Sequence, residues 1–238
     1  MKKTHLIIMF ATLVLLAGCK KEILITEPQT DITLHHGETY QIHAQCSNLI
    51  TYEPVKEWVA TVSDNGLVRA NHIGGTTILL SSQDDTKSFY VTVEPRSHLY
   101  EEPKIPFGQT KAQIKSKYGD PIATQTNYYL YNYDGAYSPY LMISFKNEKV
   151  NGYVVLIENF KKRELDKFLE ERYEYVVNVS SEYELYIDAL QASSAKTIVG
   201  IDLFNYGGYE YWMVNYLPYT HNKGEKELIK HELEQLMK

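Results

Sequence analysis

Short runs of alternating apolar and polar residues, separated by turn residues, recur along the chain from Glu22 to Tyr219. Side chains on an extended strand point alternately to two faces, so each run predicts a strand with one buried face. Helical spacing is confined to three stretches, 110–118, 160–175 and 223–238. This pattern restricts the chain to a mostly β architecture with few helices.

The first 18 residues have the pattern of a signal peptide. Lys2 and Lys3 precede an apolar run from Leu6 to Ala17. That run is shorter than the roughly 20 apolar residues that a membrane-spanning helix needs. Residues 1–18 are therefore predicted to be an export signal and not a membrane span.

The predicted signal ends in Leu16-Ala17-Gly18-Cys19, which resembles the lipobox of bacterial lipoproteins. The resemblance implies cleavage before Cys19, a thioether-linked diacylglycerol on its sulfur and acylation of the new amine. The membrane is then a partner through this anchor, because two or more acyl chains hold a protein stably. The implied location is the cell envelope, with the outer membrane expected and its surface and periplasmic faces both open. The alternative is an ordinary secretory signal with an incidental cysteine.

Charge and cysteine usage exclude some classes of function. The formal net charge is −6, and loss of Lys2 and Lys3 with the signal leaves −8. No nucleic-acid partner is expected, because nucleic-acid binding needs a basic face.

Once Cys19 is lipidated, Cys46 has no cysteine within the chain to pair with, so no internal disulfide is expected. Cys46 shares the apolar face of its run and is predicted to be a buried thiol; a reactive thiol or an intermolecular disulfide is the alternative.

Residues 22–95 form the first predicted domain. Strand-like runs follow one another at a spacing of roughly 8 to 12 residues, with turn residues at Gly37, Asp64-Asn65-Gly66 and Gly74-Gly75. No helical spacing interrupts them. This arrangement favours an all-β sandwich.

Five short motifs mark this segment: Gly37-Glu38-Thr39, Val59-Ala60-Thr61-Val62, Gly66-Leu67-Val68, Gly75-Thr76-Thr77 and Val91-Thr92-Val93. As a set they resemble the bacterial immunoglobulin-like group 2 domain. The resemblance implies an immunoglobulin-like sandwich of the kind found in surface adhesins, where it often acts as a spacer. The chain departs from the family pattern at Tyr52, where the family usually has tryptophan. Trp58 lies just ahead of Val59 and is interpreted as a displaced core or edge residue.

The composition changes after residue 95. Residues 96–106 contain Pro103 and Pro106 and lack periodicity, so they are predicted to be a semi-extended linker. Eighteen of the 21 tyrosines fall at or after Tyr100. Residues 107–219 are predicted to be a tyrosine-rich α+β domain, an antiparallel sheet with helices on one face and a possible tandem αβββ repeat.

Local signals place the two helices of this domain. Thr110 and Gln113 have the spacing of a capping box, and Gly119 suits the end of the first helix. Apolar residues at helical spacing on the second helix are Leu165, Phe168 and Leu169. Asn147-Glu148 predicts a tight turn between two strands.

Eight residues carry a second resemblance, namely Gly108, Thr110, Gln113, Ile114, Gly119, Pro121, Tyr129 and Tyr131. Their pattern is similar to that of small outer-membrane lipoproteins of the barrel-assembly machinery. A tandem form of that fold is used by β-lactamase-inhibitor proteins. The second half of the domain lacks the Gly-x-Pro element of the pattern. The resemblance implies protein–protein contact through a sheet face and no chemistry.

The stretch from Asn127 to Tyr140, "NYYLYNYDGAYSPY", carries six tyrosines. Alternation puts Tyr129, Tyr131 and Tyr133 on one face and Tyr128 and Leu130 on the other. Half-buried packing in a sheet explains most of these tyrosines. A binding face for protein or glycan is the sharper hypothesis, because tyrosine offers rigid area and a hydroxyl group. The candidate ligand contacts are Tyr129, Tyr131, Tyr133, Tyr137 and Tyr140.

No catalytic or metal-binding pattern is found in the sequence. Asp134, Glu158, Asp202 and Glu210 could pair for acid–base chemistry, but each stands where a solvated strand residue is expected. His35, His36, His43 and His72 have no ligand spacing and are interpreted as solvated surface. No enzyme activity, no cofactor and no metal are expected.

Residues 220–238 are predicted to be a C-terminal amphipathic helix with Ile229, Leu233, Leu236 and Met237 on one face. Docking on its own domain and binding to a partner are both open.

The sequence as a whole predicts a lipid-anchored, exported binding protein that acts in cell-surface adhesion. The alternatives are a periplasm-facing envelope-assembly or inhibitor lipoprotein and a glycan-binding accessory lipoprotein.

Overall fold

The computed structural model describes residues 22–26, 30–83, 85–133, 137–180, 183–206 and 208–219. The predicted signal peptide, the lipidation site Cys19 and the predicted helix 220–238 lie outside these residues. Over the described ranges the chain forms 17 strands and two α-helices. The expectation of a mostly β chain with few helices is confirmed.

The first part of the chain forms three small sheets. Its strands are β1 (Leu24–Ile25), β2 (Asp31–His35), β3 (Thr39–Gln41), β4 (Ala44–Gln45), β5 (Thr51–Pro54), β6 (Ala60–Val62), β7 (Leu67–Ala70), β8 (Gly74–Ser81) and β9 (Thr86–Glu94). One sheet has the order β2-β9-β8-β5, with β2 parallel to β9, and a second has the order β3-β7-β6. The short strands β1 and β4 pair with each other.

The two larger sheets share one hydrophobic core. Val68 of β7, Ile78 of β8 and Phe89 of β9 are fully buried in the same cluster. Gly66, in the predicted turn between β6 and β7, has φ +83°, a conformation that favours glycine. Two sheets around a common core form a sandwich arrangement. Cys46, predicted to be buried, is corrected to a half-buried residue beside this core.

The second part forms one eight-stranded antiparallel sheet and two helices. Its elements are α1 (Lys111–Tyr118), β10 (Ala123–Gln125), β11 (Tyr128–Asn132), β12 (Tyr140–Lys146), β13 (Lys149–Glu158), α2 (Lys162–Glu170), β14 (Glu174–Ser180), β15 (Tyr183–Ile187), β16 (Thr197–Tyr206) and β17 (Tyr209–Pro218). The strand order is β10-β11-β12-β13-β17-β16-β15-β14. Each helix is followed by four strands, and the two sets of four meet where β13 pairs with β17. The expected repeat had three strands after each helix, and the short β10 was missed in the first set.

Both helices pack on the same face of this sheet, which we call the covered face. Ile114 of α1 and Phe168 of α2 are fully buried in one cluster with Val155 of β13 and Val214 of β17. The opposite side is called the open face. Alternation along each strand assigns every side chain to one of these two faces.

The predicted helix signals are confirmed. Thr110 Oγ1 accepts a hydrogen bond from the Gln113 backbone N–H, and Gln113 Oε1 accepts one from the Thr110 N–H at 2.8 Å. The first helix ends at Tyr118, and Gly119 caps it with φ +80°. Asn147 and Glu148 form the tight turn between β12 and β13, with positive φ at both residues.

The interpretation of residues 96–106 as a semi-extended linker needs correction. Leu99, Tyr100 and Ile105 are buried in the cluster beneath the helices. The Tyr100 ring stacks on Phe168, with centroids 4.2 Å apart. The segment is therefore part of the second core and connects the two parts of the chain without acting as a loose spacer.

Glu171, directly after α2, joins the two parts of the chain. Its side chain is buried, and its two oxygens accept hydrogen bonds from the backbone N–H groups of Arg96 (3.0 Å) and Ser97 (3.1 Å). The Glu171 carbonyl accepts a third bond from the N–H of Ile73, in the turn before β8, at 2.9 Å. Arg172 Nη1 lies 3.3 Å from Glu171 Oε2. We call this set of contacts the joint.

His72 lies beside the joint and corrects a second prediction. It was interpreted as solvated surface, but it is buried. Its ring stacks on Trp58 with centroids 3.8 Å apart, and its Nδ1 lies 3.0 Å from the Trp58 carbonyl oxygen. Burial lowers the pKa of His72, and the opposing influence of Glu174, whose Oε2 is 3.6 Å from His72 Nε2, is smaller.

Candidate functional site

The tyrosines of β11 alternate between the two faces of the sheet. Tyr129 and Tyr131 lie on the covered face and are 9% and 5% exposed. The Tyr129 ring meets Phe145 edge-on at 4.8 Å, and Tyr118 of α1 packs against Tyr131 at 5.7 Å. Burial raises the pKa of Tyr131 to about 12. The expectation that Tyr129 and Tyr131 contact a ligand is therefore corrected, because α1 covers them and they belong to the core.

Tyr133 and Tyr137 also lie away from the open face. Tyr133 packs at the margin of the covered core, and its hydroxyl donates a hydrogen bond to the Glu101 carbonyl. Tyr137 is 37% exposed, and Lys161 Nζ stands 3.8 Å from its ring centroid. Tyr137 lines a polar cleft near the joint together with Arg96. Residues 134–136 of the same predicted loop lie outside the described residues.

Tyr140 is the one candidate that lies on the open face. Tyr128 and Leu130 of β11 lie on the same face, with Leu130 paired to Met142 of β12 in the sheet register. A cavity of about 450 Å³ opens at this place. Its lining consists of Ala123, Tyr128, Leu130, Tyr140, Met142, Val154, Leu156, Asp202, Leu203, Phe204 and Met213.

The cavity is apolar and concave. Val154 and Leu156 of β13 are nearly buried, whereas Phe204 of β16 is 37% exposed. Asp202 is the one charged residue among those that line the cavity. Its Oδ1 accepts a hydrogen bond from the backbone N–H of Leu203 at 2.8 Å. The cavity therefore offers a hydrophobic surface with aromatic rings at its margin.

The chemistry of this lining favours apolar protein side chains over sugars. A sugar would bury hydroxyl groups against aliphatic side chains that cannot hydrogen-bond to them, which costs free energy. Met142 and Met213 are unbranched and flexible, and such side chains adapt to apolar partners of different shape. The arrangement can bind by burial of apolar area.

Sequence reasoning missed Tyr128, Met142 and Met213 as candidate contacts. The signal was present in the period-two pattern, which placed Tyr128 with Leu130 on the face opposite Tyr129. What the pattern could not show is which of the two faces the helices cover. That choice depends on the packing of α1 and α2 and not on local sequence.

The structure places the candidate acids Asp202 and Glu210 on opposite faces of the sheet. Asp202 lies on the open face and Glu210 on the covered face, where Asn159 Nδ2 donates to Glu210 Oε2 at 2.9 Å. Across the described residues no group of three or more His, Cys, Asp and Glu side chains is placed to hold a metal ion. Asp134 lies outside them. In the same part of the chain, neither helix has the length and hydropathy of a membrane span.

The sequence matches no protein-family model and no curated protein. Among solved structures, the chain is similar to domains 5–6 of the S-layer protein SbsC, with 13% identity, a TM-score of 0.25, and coverage of 84% of this chain and 85% of that one. It is also similar to repeats EC1-2 of human protocadherin-24, with 10% identity, a TM-score of 0.26, and coverage of 83% and 94%. Neither likeness is strong enough to assign a fold or a function.

Proposed function

We propose that this chain is a lipid-anchored, exported bacterial protein that binds another protein through the open face of its eight-stranded sheet. The observation that carries the proposal is the apolar cavity of about 450 Å³ on that face. Its volume lies within the range of about 300–1,000 Å³ that is common for small-molecule and cofactor pockets, so it can accept apolar side chains. The lipid on Cys19 supplies the anchor in this account.

The two parts of the chain have separate tasks in this proposal. Residues 22–95 act as an immunoglobulin-like spacer near the membrane, and residues 107–219 form a tandem α+β domain that presents the open face. In this proposal the joint at Glu171 holds the spacer and the sheet together through backbone hydrogen bonds. Cell-surface adhesion is the setting that we propose, since the resemblance of residues 22–95 is to a module of surface adhesins.

Protein is the proposed partner class because the cavity lining is mostly aliphatic. Leu130, Met142 and Met213 present hydrophobic surface, and burial of such surface contributes about 25 cal/mol per Å². Tyr128 and Tyr140 add rigid rings, which are common among the residues that dominate binding energy. No catalytic step is part of the proposal.

Photo-crosslinking in intact cells tests the proposal. A photoreactive phenylalanine analogue replaces Phe204, at the margin of the cavity, and the same analogue replaces Tyr90 on β9 in a matched control. Both positions are exposed, 37% and 54% respectively. We expect the probe at position 204 to give a discrete crosslinked protein that the probe at position 90 does not give. Equal products from both probes, or none from position 204, would overturn the proposal.

A further inference from the structure

The open face ends next to the point where the described chain ends. Tyr219, the last described residue, is nearly buried in a cluster on the open face with Leu217 of β17 and Ile198 of β16. Met213, which lines the cavity, lies four residues earlier than Leu217 on the same strand and the same face. At about 3.3 Å per residue, the cavity begins roughly 13 Å from Leu217. Nineteen residues, 220–238, follow Tyr219.

The sequence of those 19 residues predicts an apolar surface that can pack on the apolar open face. Ile229, Leu233, Leu236 and Met237 recur at the spacing i, i+4, i+7, i+8, which predicts one apolar helical face. Fourteen helical residues, 225–238, would extend about 21 Å. Met213 lies six residues, or about 20 Å, from Tyr219. The five residues 220–224 span about 17 to 18 Å when extended, and the helix carries Leu233 about 12 Å beyond residue 225, so linker and helix together are long enough to reach the cavity.

An isolated amphipathic helix of this length is marginal in water and gains stability mainly by burying its apolar face. The open face adjoins its attachment point, because Tyr219 packs there with Leu217 and Ile198. A short tether also raises the effective concentration of the helix at that surface to the millimolar range. Binding of the tail to the open face of its own chain is thereby favoured over binding to the open face of a second copy.

We infer that residues 220–238 pack as an amphipathic helix on the open face, where Leu233 and its apolar neighbours fill the cavity lined by Leu130, Met142 and Met213. The inference names an occupant of the face and holds for the protein on its own. Its consequence for the binding site rests on the proposed function: a protein partner has to displace the tail. The tail is then an intramolecular competitor that lowers the affinity for weak partners.

A crosslinking experiment on the purified full-length protein in detergent tests the inference with no partner present. The photoreactive phenylalanine analogue replaces Leu233 in one variant and His231, on the opposite side of the predicted helix, in the control. We expect intrachain crosslinks from position 233 to the peptides of β11, β12 or β17, in at least fivefold higher yield than from position 231. Adding Met142→Lys is expected to reduce that yield to the control level, whereas Tyr90→Lys is expected to leave it unchanged.

Several results would overturn the inference. A crosslinked dimer from position 233 would show that a second copy covers the face, and crosslinks to the first part of the chain would place the tail elsewhere. A yield equal to that of position 231 would also overturn it. Circular dichroism checks that each variant is folded. If Met142→Lys is misfolded, Leu130→Lys replaces it, because Leu130 lines the same cavity.

The two proposals fail in different ways. Loss of the intrachain crosslink in the purified protein, with the intact-cell crosslink from position 204 still present, overturns the tail inference alone. The opposite pair of results overturns the proposed function and leaves the tail as the occupant of the face.

Discussion

Neighbouring tyrosines on β11 have opposite roles. Tyr128 faces the open cavity, and Tyr129 and Tyr131 are packed under α1. The same residue type therefore stabilises the fold at one position and offers a contact surface at the next. The cause is the period of the strand, because a shift of one residue moves a side chain to the other face.

Substitution of these tyrosines should separate stability from binding. Tyr131→Ala removes a buried ring and is expected to lower the free energy of unfolding by about 3 to 5 kcal/mol. Tyr128→Ala removes a partly exposed ring and is expected to cost less than about 1.5 kcal/mol. Urea unfolding of the mature chain measures both. Equal losses would contradict the assignment of the two faces.

Buried His72 should make stability depend on pH. Burial lowers its pKa in the folded state, while the unfolded chain binds a proton near pH 6.5. The unfolded state therefore binds more protons as the pH falls below about 6.5, and the stability that neutral His72 provides is lost. We expect the free energy of unfolding to decrease from pH 7 to pH 5.

His72→Phe is expected to flatten this pH dependence, and His43→Phe, at an exposed position of the same sandwich, is expected to retain it. Chemical unfolding at a series of pH values is the measurement. An unchanged slope in His72→Phe would show that other groups cause the effect.

The elements of the sandwich and of the sheet are tied together at the Glu171 joint, beside which His72 Nε2 and Glu174 Oε2 lie 3.6 Å apart. One carboxylate satisfies two backbone N–H groups of the connecting segment and pairs with Arg172. Its removal would leave the part-buried N–H of Arg96 and the buried N–H of Ser97 without their acceptor and would remove the carboxylate beside Arg172. A buried group that loses its partner is costly.

Glu171→Ala is expected to lower the free energy of unfolding by about 3 to 5 kcal/mol. Glu170→Ala, at the exposed neighbouring position, is expected to change it by less than about 0.5 kcal/mol. Thermal unfolding followed by circular dichroism compares the two. If the two substitutions had the same small effect, the joint would not be energetically important.

Much of the element order was predictable from local signals, because strand alternation, the Thr110–Gln113 capping box and the Asn147-Glu148 turn depend only on nearby residues. The faces of β11 were also predictable. What could not be predicted was long-range: the burial of Leu99, Tyr100 and Ile105, the burial of His72, and the choice of covered face. Each of these depends on elements that are distant in sequence. The prediction that Tyr129 and Tyr131 contact a ligand is wrong for this reason, whereas Tyr140 does lie on the open face.

The whole molecule, as we propose it, combines a lipid anchor, an immunoglobulin-like spacer and a sheet that presents the open face. The anchor rests on Cys19, which lies outside the described residues, and on its resemblance to a lipobox. One acyl chain gives marginal membrane binding, whereas two or three give stable binding. The acidic net charge offers no electrostatic attraction to anionic lipid, so the acyl chains have to provide the affinity.

Cys19→Ser is therefore expected to abolish labelling by an alkyne fatty-acid analogue and to move the protein from the membrane pellet to the soluble fraction. Cys46→Ser is the matched control and is expected to keep both the label and the membrane association. Membrane fractionation after labelling gives the answer. A Cys19→Ser protein that stays in the pellet would show that another segment holds it there.

Binding of the partner at the open face itself is tested by combining the Phe204 probe with a charge placed in the cavity. Met142→Lys puts an ammonium group among apolar side chains, which disfavours burial against a protein partner. In intact cells the account predicts that Met142→Lys removes the crosslinked protein and that Tyr90→Lys leaves it at its original level. A crosslink from position 204 that persists in full with Met142→Lys would contradict the account.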